Sequence, residues 1–189
     1  MTYPPPPTSY EARVKADTNA PVRRAITARS VVAIADITRN NINQVRKLNE
    51  VLLPVPYSPA VYEQVLEEDT NPICKLGLFN DIPVGNVCCR LEEGKDATMW
   101  KVYIMTLGVL PTYRCLGVAS ALLEYVLDVA GPSKNFAGRK IESVYLHVQI
   151  SNPVARMLYE KFGFELVDTL ESYYPSITPS SAWVLSKHT

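Results

Sequence analysis

The sequence predicts an α/β domain with a mixed central β-sheet of about seven strands flanked by about four helices. The first observation behind this prediction is that short β-branched or aromatic runs alternate with amphipathic helical stripes from residue 31 onward. The second is size and composition, because 189 residues with 47% hydrophobic and 20% charged side chains suit one globular domain. The predicted order, β-α-α-β-β-β-α-β-α-β-β, favours a sheet with both parallel and antiparallel strands.

Residues 1–30 differ from the rest of the chain. They contain a run of prolines from Pro4 to Pro7 and scattered charges, but no sustained apolar period. We predict a largely irregular extension over 1–30 and a single domain over 31–189.

Residues that typically begin or end a helix locate the individual elements. Thr38 and Asn152 are predicted N-caps, Ser58 with the proline after it begins a helix, and Pro111 ends the central strand. The predicted elements are strand 31–36, the helices after Thr38 and Ser58, strands 73–79 and 84–91, a turn at 92–98, strand 102–107, the helix after Ala119, a polar linker at 131–140, strand 141–149, the helix after Asn152, and strands 164–170 and 183–185.

Charge and cysteine content argue against several classes of protein. The formal net charge is +0 and no basic cluster occurs, so nucleic-acid binding has no electrostatic support. No apolar stretch approaches a membrane span, and the first residues do not resemble a secretory signal. The cysteines lack metal-ligand spacing, so we predict no metal site. We interpret them as small buried side chains in a reducing, cytoplasmic location. They are Cys74, Cys88, Cys89 and Cys115.

The central strand, the turn after it and the next helix form one unit. Strand 102–107 stops at Pro111, and a helix with an apolar stripe over 122–127 follows. Between them, the small residues Gly117 and Ala119 allow a ligand to approach the backbone, while the free N–H groups of the helix start favour negative charge. The unit therefore predicts a pyrophosphate site, and it resembles the acetyl-CoA signature of the GNAT acetyltransferases.

Six further segments narrow this resemblance. They look like segments of the NatE catalytic subunits, a family that acetylates protein N-termini, typically those that keep the initiator Met. The resemblance extends over residues 31–189 and follows the GNAT order of elements. The segments are LPVPY (53–57), FNDIPVG (79–85), YIMTLG (103–108), YLHVQISN (145–152), KFGF (161–164) and YY (173–174).

The resemblance implies a GNAT fold with acetyl-CoA as the cosubstrate. Cys115 stands where the family has a second arginine, which implies one phosphate contact fewer. The residues implied to contact acetyl-CoA are Leu107, Val109, Arg114, Cys115, Gly117, Val118, Ala119, Ser120, Asn152 and Tyr159.

Three residues are candidates for the proton transfers. An α-amine has a pKa of about 7.7–8, so a modest base is enough at neutral pH. Tyr103 and His147 match the family's catalytic pair and would relay one proton through a water, and Tyr159 matches the tyrosine that protonates the leaving thiolate. A backbone N–H within 105–107 would polarise the acetyl carbonyl. The residues alone leave a structural histidine, a core tyrosine and a helix packing contact as alternatives.

The predicted peptide site is apolar and aromatic. Pro54 and Val55 would line a pocket for the first side chain, and tyrosine hydroxyls would bond the first peptide units. Leucine replaces the phenylalanine usual in the family at position 53, which implies a changed pocket shape. The predicted substrate is a peptide or nascent chain beginning with Met and an apolar residue. The site residues are Leu53, Pro54, Val55, Tyr57, Met105, Tyr173, Tyr174 and Ile177.

Two other functions stay open from the sequence. One is a GNAT enzyme acting on lysine or a small amine, although the proline-rich and tyrosine-bearing loops would crowd a lysine within a chain. The other is a weakly active acetyl-CoA-binding scaffold subunit of a NatA/NatE complex. The resemblance implies docking on the NatA auxiliary subunit at the ribosome, both for a scaffold subunit and for an active N-terminal acetyltransferase. The presence of Tyr103 and His147 disfavours an inactive protein.

Overall fold

One mixed β-sheet runs through the part of the chain that this computed structural model describes, residues 30–94, 96 and 98–188. The strand order is β1-β2-β3-β4-β6-β8-β7, and the short β5 pairs with β6 beside this path. Strands β4 and β6 are parallel, and the other described pairs are antiparallel. The strands are β1 Val32–Asp36, β2 Lys75–Phe79, β3 Ile82–Glu93, β4 Met99–Val109, β5 Asn135–Phe136, β6 Arg139–Gln149, β7 Glu165–Leu170 and β8 Ala182–His188.

Four α-helices and two short 3-10 turns accompany the sheet in these residues. The helices are α1 Ile42–Leu52, α2 Pro59–Val65, α3 Val118–Ala130 and α4 Pro153–Lys161. Helix α3 lies close against β2 because Gly77 has no side chain. A Cβ at Gly77 would lie 2.7 Å from Cγ1 of Val118. The predicted α/β architecture is therefore present, with one more strand than expected.

The start of α1 differs from the prediction. Asn41, not Thr38, precedes the first helical residue. The Oδ1 of Asn41 accepts the Thr38 backbone N–H at 2.7 Å, and its Nδ2 donates to the Asp36 carbonyl at 2.9 Å. These two bonds form a turn between β1 and the helix, so Thr38 as N-cap was wrong.

Several strands also differ from the prediction. Strand β2 begins at Lys75 because Ile73 ends a short 3-10 turn, and β4 and β8 extend beyond the predicted 102–107 and 183–185. Strand β3 continues through Glu93, so the expected turn at 92–98 begins later and its first two residues lie in the sheet. The expected polar linker contains β5, where Phe136 is buried and pairs with Arg139. One apolar side chain among polar neighbours is enough to anchor a two-residue strand, and it leaves little trace in a periodicity analysis.

The cysteines match the prediction at three of four positions. Cys74, Cys88 and Cys89 are buried, and burial raises the pKa of the Cys88 thiol to about 11, which keeps it protonated. Cys115 is exposed and has φ +60, because it lies in the turn before α3 and not on a packed strand. None of the helices in the described residues is long and apolar enough to span a membrane.

The predicted extension lies outside the described residues except for Ser30, so the boundary at residue 31 stays a prediction. We expect a chain that begins at Ser30 to keep the turnover of the full chain, because the composition of 1–29 indicates few buried groups. Steady-state kcat of the two forms would test this, with their melting curves as the control for folding. A several-fold loss of kcat in a well-folded short form would show that the extension contributes to the site.

Candidate active site

The parallel strands β4 and β6 separate in the middle of the sheet. Their pairing runs from Met99 opposite Lys140 to Tyr103 opposite Tyr145. Beyond this point β4 continues to Val109 along β3, whereas β6 continues to Gln149 along β8. The separation opens a cleft that exposes one backbone edge of β4 to a ligand.

A β-bulge shapes this open edge. Cys88 of β3 faces Thr106, and Cys89 faces Ile104, so Met105 is the extra residue on β4. A bulge of this kind re-aims backbone groups locally and is common beside active sites. It lies in the segment 105–107 from which the sequence analysis expects a donor to the acetyl carbonyl.

The predicted catalytic pair is in contact at the base of the cleft. The Tyr103 hydroxyl lies 3.1 Å from Nδ1 of His147. The Tyr173 hydroxyl lies 3.2 Å from each of these two atoms, and its ring stacks on the imidazole with the centroids 4.3 Å apart. The three side chains come from β4, β6 and the loop between β7 and β8, so a residue predicted for the peptide site also touches the proton-transfer pair.

Burial gives the pair complementary protonation states. It lowers the pKa of His147 below its ordinary value, an effect that Glu92 opposes and Arg90 reinforces. The imidazole is therefore neutral at pH 7 and can accept a proton. Burial, followed by the hydrogen bond and charge of Tyr173, raises the pKa of Tyr103. Tyr103 thus stays protonated and suits the role of orienting a water better than that of a base.

A carboxylate on β3 supports this pair, and the sequence analysis did not single it out. Glu92 accepts the Tyr145 hydroxyl through Oε2 and the Arg90 Nε–H through Oε1, the latter at 2.7 Å. Arg90 lies over the Tyr103 ring, with its Cζ 4.8 Å from the centroid. The available signal was the two-residue spacing of Arg90 and Glu92, which puts both on one face of a strand.

The peptide-site candidates lie on two loops beside the cleft. The Tyr57 hydroxyl donates to the Met105 carbonyl at 2.9 Å, which joins the loop at 53–57 to the bulge. Burial, with smaller effects from Tyr173 and Tyr174, raises the pKa of Tyr57 to about 12. The rings of Tyr173 and Tyr174 meet edge to face at 4.8 Å. These contacts bring four of the eight predicted residues together around the open edge of β4.

The other four line the same loops with different exposure. Leu53 and Val55 are partly buried, Pro54 is exposed, and Ile177 is partly buried in the segment after Tyr174. A pocket wall needs side chains that are accessible but supported from behind, and partial burial satisfies both needs.

The turn before α3 has the geometry expected of a phosphate site. Gly117 is the N-cap, its φ is +89, and no side chain caps the helix. A Cβ at Gly117 would meet nothing within 4 Å, so the space in front of the helix end is open. The first N–H groups of α3 therefore point toward an accessible surface without a competing carboxylate. These residues fit the pyrophosphate of acetyl-CoA.

Residues around this turn complete the predicted acetyl-CoA surface. Arg114 is exposed, and its Nε donates to the Val109 carbonyl at 3.1 Å, which leaves the rest of its guanidinium available to an anion. Val109 and Val118 are buried, and the remaining members are partly exposed. Those remaining members are Leu107, Ala119 and Ser120.

Helix α4 supplies the last two candidates. The Asn152 Oδ1 accepts the Ala155 N–H at 3.1 Å, so Asn152 is the N-cap that its position predicted. The Tyr159 ring is buried and packs edge to face on Phe164 at 5.5 Å. Burial raises the pKa of Tyr159, so its hydroxyl stays protonated at neutral pH but is a weak acid. Among the described residues, no group of three or more His, Cys, Asp or Glu side chains could hold a metal ion.

The open sheet, the positive-φ turn before α3 and the Tyr103–His147 contact suit an enzyme that transfers an acyl group from a nucleotide thioester. A model of the Acetyltransferase (GNAT) family matches residues 42–164. This chain belongs to the GNAT acetyltransferase family, and the predicted GNAT fold is confirmed.

Individual relatives narrow the assignment within the family. The chain is 44% identical over 159 residues to the probable N-acetyltransferase san of Drosophila melanogaster, covering 84% of this chain and 82% of the relative. It is 42% identical over 156 residues to N-alpha-acetyltransferase 50 of Danio rerio, covering 82% and 88%.

A solved structure gives the same result. Arabidopsis thaliana Naa50, in complex with the bisubstrate analogue CoA-Ac-MVNAL, superposes with a TM-score of 0.74 and 39% identity. The match covers 84% of this chain and 99% of the other. The prediction of an N-alpha-acetyltransferase of the NatE type with acetyl-CoA as acyl donor is confirmed by these relatives.

Proposed function

We propose that this enzyme acetylates the α-amine of peptides and nascent chains that begin with the initiator Met followed by an apolar residue. The transfer is direct, with acetyl-CoA and peptide bound together on opposite sides of the cleft. The observation that carries this proposal is the contact of Tyr103 with His147 where β4 and β6 separate. The turn at Gly117, which fits a pyrophosphate, follows β4 in the chain, and the loops that carry Tyr57 and Tyr173, which fit a peptide, both bond to β4.

His147 and Tyr103 perform the first proton transfer together. A neutral imidazole accepts the proton of the incoming ammonium through a water, and the Tyr103 hydroxyl orients that water. The bulged segment 105–107 offers a backbone N–H to the oxygen that gains charge. The neutral amine would attack the carbonyl carbon of acetyl-CoA, so that the C–N bond forms and the C–S bond breaks. Tyr159, which burial keeps protonated, would donate its hydroxyl proton to the leaving thiolate and regain a proton from the acetylated nitrogen.

The loops favour an α-amine over a lysine side chain. Tyr57 ties the loop at 53–57 to Met105, and Tyr173 ties the second loop to Tyr103, so two loops lie against β4 and bound the entrance. A chain end enters such a slot with one peptide strand, whereas an internal lysine brings two. The analogue bound to the Arabidopsis relative carries MVNAL, which begins with Met and an apolar residue.

A thiol-release assay tests the substrate class. Three acceptors would be compared at saturating acetyl-CoA: a peptide beginning Met-Leu, a peptide with a blocked N-terminus and one lysine, and a polyamine. We expect turnover of the first to exceed that of the others by at least about 10²-fold. Preferred turnover of the lysine peptide or the polyamine would contradict the proposal, and acetyl-CoA binding without turnover would indicate a scaffold subunit.

Val55 offers a sharper test of the first pocket. We expect Val55→Asp to raise the apparent KM for a Met-Leu peptide by about 10-fold or more and to flatten the preference for Met, because a charge replaces an apolar wall. The matched control is Val51→Asp, since Val51 is 70% exposed on α1 outside the loop. Equal kinetics for the two variants would remove Val55 from the pocket.

The proposal also includes a cytoplasmic location and docking on the NatA auxiliary subunit at the ribosome. Its support is the similarity to NatE catalytic subunits. Binding of the full chain to the purified auxiliary subunit, followed by co-sedimentation with ribosomes, would test it. A chain that acetylates peptides at full rate but does not bind the auxiliary subunit would limit the proposal to an independent enzyme.

A further inference from the structure

We propose that Glu92 is a positioning residue for acetyl transfer, which acts by holding Arg90 and Tyr145 against the Tyr103–His147 pair. This inference deepens the proposed function and rests on it for its kinetic test. The carboxylate uses both of its oxygens for this purpose. Oε1 accepts from Arg90, with the Nη2 atom at 2.5 Å, and Oε2 accepts from the Tyr145 hydroxyl.

The two side chains that Glu92 holds both rest on the Tyr103 ring. The Arg90 guanidinium carbon lies 4.8 Å from the ring centroid, and the Tyr145 centroid lies 4.9 Å from it. Tyr145 also meets the His147 ring edge to face at 5.9 Å. Glu92 contacts neither member of the catalytic pair directly, yet two of the neighbours that fix the Tyr103 ring depend on it.

Register explains why this arrangement forms. Arg90 pairs with Tyr103 across β3 and β4, and Tyr103 pairs with Tyr145 across β4 and β6, so the three residues form one row on one face of the sheet. Glu92 lies two residues from Arg90 on that same face. The Arg90 and Glu92 side chains are 41% and 28% exposed, so their ion pair adds little to stability and acts mainly by fixing where the Arg90 side chain lies.

Arg90 and Glu92 also set the charge around His147. A negative Glu92 favours the imidazolium and a positive Arg90 disfavours it, in line with the pKa directions of His147. Removal of the Glu92 charge leaves Arg90 unopposed and should lower the pKa of His147 further. The titratable and charged groups around the His147 ring come from four elements: Tyr103 from β4, Tyr145 from β6, Tyr173 from the loop before β8, and Arg90 and Glu92 from β3. From β8 the ring is faced by Val184, which carries no charge.

The test combines kinetics with proton NMR on the full chain. We expect Glu92→Gln to lower kcat by up to about 10²-fold with a smaller change in peptide KM, since misplaced catalytic groups reduce rate more than binding. The His147 C2–H titration midpoint should move to lower pH. The chain has two histidines, so the resonance is assigned by its loss in His147→Ala. Glu92→Asp, which keeps the charge, should largely restore the midpoint.

Two further variants isolate the effect. Glu93→Gln removes the same charge one residue away, at an exposed position on the opposite face of β3, and should change neither readout. Tyr145→Phe removes one hydrogen bond to Glu92 without changing a charge, so it should lower kcat and be non-additive with Glu92→Gln. The proposal is overturned if Glu92→Gln matches Glu93→Gln in either kcat or the His147 midpoint.

These readouts separate this inference from the proposed function. If the wild-type enzyme does not acetylate α-amines, the proposed function fails, but the NMR titration still decides whether Glu92 controls His147. If the wild type acetylates α-amines and Glu92→Gln leaves either readout unchanged, only the positioning role fails. Melting curves of each variant identify a loss that comes from unfolding.

Discussion

His147→Ala and Tyr103→Phe are each expected to reduce kcat by about 10²–10⁴-fold, the range for a lost acid–base group. The two side chains share one hydrogen bond, so they should act as a unit. The double variant should therefore be little slower than the slower single variant. Peptide KM should change little in all three, because neither group lines the pocket for the first side chain.

Controls and pH dependence make this experiment decisive. His188→Ala and Tyr125→Phe alter the other histidine and a tyrosine that bonds the Pro72 carbonyl, and both should keep full turnover. Because burial lowers the pKa of His147, protonation of this residue should reduce kcat only below about pH 6.5. Near-normal turnover of His147→Ala at neutral pH would show that the amine loses its proton to bulk water and that His147 is structural.

Features with a local cause could be predicted well from the sequence. Asn152 caps α4 with its side chain, and Gly163 follows the end of that helix with φ +79, both as their positions indicate. The start of α1 shows the limit of this reasoning. Several residues there can act as caps, and the choice of Asn41 depends on its bond to the Asp36 carbonyl, which is a contact between two elements.

The candidate site could be predicted only where motifs carry it. Periodicity alone would leave Tyr103 and His147 as a core tyrosine and a structural histidine, and the family resemblance made them candidates. Glu92 lies at the start of the polar segment 92–98, which the sequence predicts to be a turn. Its contact with Tyr145 depends on the alignment of three strands, and strand order and register cannot be read from a single chain segment.

Gly117→Val is expected to abolish acetyl-CoA binding while leaving the domain folded. The first reason is that a side chain here would enter the open space in front of α3, where the backbone N–H groups receive the pyrophosphate. The second is that the φ of +89 is strained for a β-branched residue, at a cost of about 1–3 kcal/mol. A domain of this size should tolerate that cost, whereas a ligand that needs close backbone approach should not.

Gly138→Val is the matched control for this strain. Gly138 also has a positive φ, +73, and a Cβ added there would meet nothing within 4 Å. It lies in the turn between β5 and β6. Acetyl-CoA at 100 times Kd should add about 2.7 kcal/mol to the free energy of unfolding of the wild type and of Gly138→Val, and so raise their melting temperatures. It should not stabilise Gly117→Val. Calorimetry that gives Gly117→Val undiminished affinity would rule out this turn as the phosphate site. Equal loss of affinity in both variants would trace the effect to backbone strain, since only Gly117 lies at the start of the helix that faces the ligand.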